Sequence, residues 1–436
     1  MALIRGEMWS LSYGQQFFDD GSLHSGVETA DRVVDEDYMT RIFGIFESAT
    51  LPDPEFDFTS KWAYGENSKR NWFITHKGKV AFSGSIGDIT LLNGMPLYLP
   101  IGSLKSVGTD VVGGGGSTLN GAHARGVASI TVVSGTDYAD DDYIQIGTGD
   151  NAEVRQISSG GGTTTLVLNY PLSNDHLTGE TCNEVEAPFT HTAIESVHLK
   201  PIQIDTTYVD TDGNSSLQRR YVGCKVSRAS ITAGQGEIVT FGIDDLQARD
   251  MRYKDKDATD VSPWYTSDIV KPTIDCPTTE PYYFSYGVLT LAGTEFARVT
   301  EFKLDISNAV EPKYYVTDDV GSHRVPYELI PGRKEYGLSV SIDIEDASLF
   351  LDLLRQGDYT SVYKGFQVQL VLTRGANDTI TITTPPSAPA IGGDAMGCLI
   401  RNAPHAIADS PLVNIPLDII CRSTEIVVVD SVGVYA

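Results

Sequence analysis

Three glycine or carboxylate clusters have residue types that could do chemistry. Gly147, Gly149 and Ala152 carry the spacing of a dinucleotide fingerprint, in which amides at a helix N-terminus receive phosphate. The residues that follow, 153–157, alternate like a strand and lead into Gly160, Gly161 and Gly162, so the segment is read as a hairpin turn and no nucleotide is expected. Asp210, Asp212 and Asn214, with Gly213 among them, resemble the opening of a calcium loop, but Tyr221 and Val222 stand where the closing bidentate Glu is needed. Asp140, Asp141 and Asp142 are read as a solvated turn.

Nucleophilic and metal chemistry fare no better. Residues 83–87 approach a nucleophile elbow around Ser85, yet the first glycine and the following helix are missing. The eight histidines are scattered, and His191 and His198 sit seven apart in a segment read as strand, which places them on opposite faces. Cys182, Cys224, Cys276, Cys398 and Cys421 are odd in number and widely spaced, and are expected to be reduced and structural. The expectation is a protein with no catalytic residues, no cofactor and no bound metal. Paired carboxylates about a glycosidic bond are compatible with any acidic β protein, so a carbohydrate-binding or carbohydrate-cleaving β protein, such as a tail-tip adhesin or surface protein, stands as the alternative.

The elements that carry these residues are mostly strands. In 298–306, Phe302, Leu304 and Ile306 alternate with Glu301, Lys303 and Asp305, the period of a half-buried antiparallel strand. Leu338, Val340, Ile342 and Ile344 repeat the pattern against Ser339, Ser341, Asp343 and Glu345. Further alternations run through Val222, Cys224 and Val226, through Val239, Phe241 and Ile243, through residues 366–372 and through residues 413–419. One helix is expected at 346–357, capped by Asp346, with Leu349, Phe350, Leu353 and Leu354 on one face and Gly357 at its end. The segment 29–46 is ambiguous and is read as a partly extended arm.

These patterns predict a mainly β fold: two packed antiparallel sheets, in a sandwich or barrel, with one flanking α-helix. Composition shifts near residue 104, where the tract 113–116 is all glycine and short strands follow, and the longer pattern resumes after Glu186. The economical division is an N-terminal arm and first strands in 1–103, an inserted small all-β domain in 104–187, and the remainder of the larger domain in 188–436.

Charge and hydropathy narrow the function. With 58 acidic and 32 basic residues the net charge is −26, which leaves no basic surplus for tight nucleic-acid binding. No apolar run approaches the roughly 20 residues of a bilayer-spanning helix, and residues 1–20 hold no stretch of signal-peptide length, so neither a membrane nor export is expected.

The order of elements then carries a resemblance. The run Val299, Glu311, Tyr314, Tyr315, Arg324, Pro331, Gly332 and Arg333, followed by the strand 336–344 and the helix 346–357, resembles the major tail tube proteins of long-tailed phages and tailed archaeal viruses. Ser307 and Asn308 stand where that family turns a polar corner. Gly14, residues 51–54, 79–84 and 89–96 look like its arm and first sheet strands.

The resemblance implies a structural virion protein of the viral tail, made in the host cytoplasm. It implies hexameric rings that stack through an arm, with tape measure, terminator and tail-tip proteins as further partners. DNA passes through such a tube transiently and without binding. On this reading Glu301, Asp305, Asp343 and Glu345 are candidates to face an acidic lumen, while Phe302, Leu304 and Ile342 pack toward the core with helix residues Leu349, Phe350, Leu353 and Leu354. Val33, Val34, Ile42, Phe43 and Phe46 are candidates for the ring-stacking arm, and the insert is expected on the exterior.

Overall fold

Period-two alternation becomes sheet structure across most of the chain. The structure, a computed structural model, describes residues 4–15, 41–61, 74–210, 215–255, 279–291, 294–296, 299–315, 324–343, 365–387, 397–403 and 414–435. The expected helix, with Leu349, Phe350, Leu353 and Leu354, lies outside the described residues, as do Glu345, Val33 and Val34.

Among the described residues two antiparallel sheets of 12 strands each make the body. The first sheet runs in the order Ser48–Thr50, Ile74–Thr90, Thr240–Gln247, Ser215–Gly234, Val299–Ser307, Glu335–Asp343, Asn414–Cys421 and Leu399–Asn402. Ser215–Gly234 is long enough, at 20 residues, to serve two groups of neighbours. Its C-terminal half pairs with Thr240–Gln247 and Val299–Ser307, and its N-terminal half with Ile202–Asp210 and Asp250–Asp255.

The second sheet runs Thr294–Phe296, Gly287–Leu291, Val368–Gly375, Asp378–Thr384, Glu425–Asp430 and Thr181–Glu195, then continues through Tyr143–Ile146, Glu153–Ser159, Thr165–Leu168 and Ser129–Thr131. The inward faces of the two sheets close on one core. Phe302, Leu304, Val340 and Ile342 from the first meet a cluster that includes Leu370, Leu372, Ile380 and Ile426 from the second. Burial of such apolar faces, at about 25 cal/mol per Å², is the main force holding the sheets together.

Residues 104–187 carry a second apolar cluster of their own, made by Leu119, Ile130, Ile144, Ile157, Leu166 and Cys182 among others. Gly102–Asp110 and Thr181–Glu195 lead into and out of it side by side, in register from Gly102↔Glu195 to Asp110↔Val185 with a bulge between Glu186 and Thr190. Within it, the glycine-rich spacing is a hairpin turn. Gly147 and Gly149 take φ of +74° and +70°, which side chains rarely adopt, and the chain passes through the short 3-10 turn Gly149–Asn151 into the strand Glu153–Ser159.

Candidate assembly surface and channel face

Alternation fixes which side chains of the first sheet point away from the core. Glu301 stands opposite Ser341 and Asp305 opposite Gly337 in the pairing of Val299–Ser307 with Glu335–Asp343. Asp343 stands opposite Asn414, whose Nδ2 donates to Asp343 Oδ1 at 2.9 Å. These three acids share one outward face, while Phe302, Leu304 and Ile342 lie buried on the other.

That face is of mixed sign. Lys303 pairs with Asp305 at 3.0 Å, Arg401 with Asp418 at 3.7 Å and Arg228 with Asp245 at 4.0 Å. Such exposed pairs add little stability, but they interrupt the run of negative charge that Glu301, Asp305 and Asp343 alone suggest.

At one margin of the sheet Pro54–Lys61 and Ile74–Thr90 form a hairpin that presents aromatic rings to solvent. Phe56 and Phe58 are 48% and 55% exposed, their ring centroids are 6.3 Å apart, and Lys77 lies over the Phe56 ring. Sequence reading did not single out this pair. The signal was the alternation Glu55, Phe56, Asp57, Phe58, which gives a strand with one aromatic and one acidic face.

The described part of the arm is docked on its own chain. Phe43 is 2% exposed and stacks on Tyr13 at 4.4 Å, and Arg41 exchanges backbone hydrogen bonds with Tyr13. Phe46 packs against the same core and Ile42 is half-buried. The Phe43 ring is thus committed to the core of its own chain.

The Asp140 to Asp142 cluster is structural. Asp140 Oδ1 accepts from the Gly161 amide and Asp142 Oδ2 from the Ala139 amide, so these carboxylates hold a turn. Asp212 and Asn214 lie outside the described residues. Among the described residues no group of three or more His, Cys, Asp or Glu side chains is placed to hold a metal.

The corner after Val299–Ser307 is built by Asn308. Its buried Nδ2 donates to the carbonyls of Pro100 and Val226, each at 3.0 Å, and Ala309 follows with φ of +44°. With this corner, the two-sheet body and the polar outward face in place, comparison with known families becomes informative. The sequence profile of the family described as phage tail tube protein matches residues 70–397, well over half of the chain. The chain belongs to the phage tail tube protein family. No curated protein sequence matches it.

As a tail tube protein the chain is a component of the virion tail, and its family assembles into a tube with copies of itself and other tail proteins. Among the described residues no helix is long and apolar enough to cross a membrane.

This tail tube protein has two buried polar networks, one inside residues 104–187 and one that ties Ser106 of that segment to the body. In the first, Glu153 pairs with Arg155 at 2.5 Å and with His176 at 2.6 Å, and His176 also meets Glu180 at 2.6 Å. Burial acts to lower the His176 pKa, but bonds to the two carboxylates outweigh it and the net shift is upward.

In the second network His191 lies between the elements. Its Nε2 donates to the Val432 carbonyl at 2.6 Å, so Nδ1 accepts from the Ser106 hydroxyl at 2.8 Å in the neutral ring. The ring stacks flat on Tyr435, and Tyr435 in turn donates to Asp430. Burial pushes His191 down to about 4 and Asp430 up to about 6. The strand that carries His191 ends at Glu195, so His198 lies beyond it rather than on an opposite face. Neither network was visible in the sequence, because the contacts that join them, Glu153 to His176 and His191 to Val432, span 23 and 241 residues.

Proposed function

We propose that this tail tube protein forms stacked, sixfold rings whose bore is lined by the outward face of the first sheet, and that it acts without catalysis. The observation that carries the reading is the division of that sheet into an apolar face closed on the second sheet and a polar, solvent-facing side bearing Glu301, Asp305 and Asp343. A channel for DNA needs such a surface, since apolar or strongly basic walls would hold the polymer. Fixed carboxylates repel a polyanion over about 8 Å at physiological salt, and the interleaved Lys303, Arg401 and Arg228 moderate that repulsion.

Residues 104–187 decorate the outside of the tube, where a module with its own core can grow without narrowing the bore. Stacking contacts fall to the arm and to the hairpin that carries Phe56 and Phe58, a pair of exposed rings of the kind that interfaces cover.

Replacing Glu301, Asp305, Asp343 and Glu345 by lysine tests the assignment of the bore. Assembled tails with slowed or blocked genome ejection support it. Normal tails with unchanged ejection count against it.

A further inference from the structure

Cys398 and Cys421 are 23 residues apart in sequence, yet their sulfurs lie 3.3 Å apart in the interior. The backbone explains the approach. Leu399 pairs with Ile420, so the next residues out, Cys398 and Cys421, face each other across the same two strands. Cys398 gives both of its backbone hydrogen bonds to Phe366, at 2.8 and 3.1 Å, on its other side. The cysteines are therefore a non-hydrogen-bonded antiparallel pair, whose Cα atoms lie about 4.5 Å apart. A disulfide accepts roughly 4.4–6.8 Å.

The location is a seam. Phe366 leads into Val368–Gly375 of the second sheet, and Cys421 ends Asn414–Cys421 of the first. The Cys398 sulfur also touches the carbonyl of Thr384, at 3.2 Å, at the end of Asp378–Thr384. Cys182 and Cys224 are also buried and free, but Cys182 belongs to the separate cluster of residues 104–187 and Cys224 stands opposite Ile202 on Ser215–Gly234. Cys421 also lines a cleft of about 780 Å³ shared with Arg333, Arg401 and Arg422.

We propose that Cys398 and Cys421 are a modification site, an intrachain disulfide made by hydrogen peroxide once the virion has left the reducing cytoplasm. One sulfur attacks a peroxide oxygen and the O–O bond breaks, giving a sulfenic acid and, after protonation, water. The second sulfur displaces the hydroxyl, the S–O bond breaks, the S–S bond forms and a second water leaves. Two thiols give up two electrons and two protons, and one peroxide is reduced to two waters. The bond closes residues 399–420 into a loop and ties the last two strands of the first sheet together beside Phe366, so the subunit gains rigidity in the compartment where it must conduct the genome.

The test is peptide mapping of the full chain, purified under reductant and then exposed to hydrogen peroxide. After denaturation in an alkylating reagent, the expected product is a reductant-sensitive link between the Cys398 and Cys421 peptides, two hydrogens lighter than the reduced pair. Cys182 and Cys224 should be alkylated. The oxidised chain should melt about 4 °C higher than the reduced one, with no rise in Cys421→Ser. Alkylation of both Cys398 and Cys421 after peroxide, sulfinic acid without a link, or linkage to other cysteines would each overturn the proposal. Should Cys421→Ser fail to fold, the map of the unaltered chain decides alone.

Discussion

Asp430→Asn should make this protein acid-sensitive in a way the unaltered chain is not. His191 is held neutral: burial lowers its pKa from 6.5 to about 4, so the stability it contributes is complete above 6.5 and is lost as pH falls through about 4. At about 1.4 kcal/mol per pH unit the loss is about 3 kcal/mol. Asp430 works in the opposite sense. Burial raises its pKa from 3.8 to about 6, so its contribution is complete below 3.8 and is lost as pH rises through about 6, again about 3 kcal/mol. The two groups lie 3.8 Å apart and their effects offset over the same window. Asparagine keeps an acceptor oxygen for the Val432 amide and turns its NH2 toward the Tyr435 hydroxyl, but it cannot take up the proton, which leaves the His191 loss uncompensated. Thermal melts of both chains at pH 7 and pH 4 measure this as a double difference, in which the other carboxylates cancel. The variant should lose about 3 °C more than the parent for a chain of 436 residues. Parallel shifts in the two chains would refute the reasoning.

Three further outcomes are expected. Phe56→Ser with Phe58→Ser should leave the melting temperature within about 1 °C, since both rings are half exposed, while tube yield measured by sedimentation falls several-fold. Asn308→Ala strands the buried carbonyls of Pro100 and Val226 and should cost about 2–4 kcal/mol in a denaturant titration. Arg220→Met leaves the buried Asp205 carboxylate without its bidentate partner, at 2.6–3.1 Å, and should cost about 3–5 kcal/mol. Adding Asp205→Leu should recover most of that loss.

Much of the sheet architecture was legible in the sequence because a half-buried strand must alternate. Phe302, Leu304 and Ile306 announced their strand and its inward face, and the glycines at 147 and 149 were recognised as a turn because the residues after them alternate. What was not legible depends on register between distant strands. Nothing local brings Cys398 to Cys421, His176 between Glu153 and Glu180, or His191 to Asp430. The burial of Phe43 was hidden for a related reason. An aromatic residue in an acidic, irregular segment has no periodic partner in sequence, and its burial comes from Tyr13, 30 residues upstream. The mixed sign of the outward face is also a matter of register, because Arg401 and Arg228 reach it from strands other than Val299–Ser307 and Glu335–Asp343.

The central claim is that the outward face of the first sheet lines a closed, sixfold bore. Electron cryomicroscopy of tubes assembled from the purified chain tests it most directly. The expected result is stacked hexameric rings with Glu301, Asp305 and Asp343 on the channel wall and residues 104–187 outside. Tubes with that face turned to the exterior, or a chain that stays monomeric at every concentration, would contradict it.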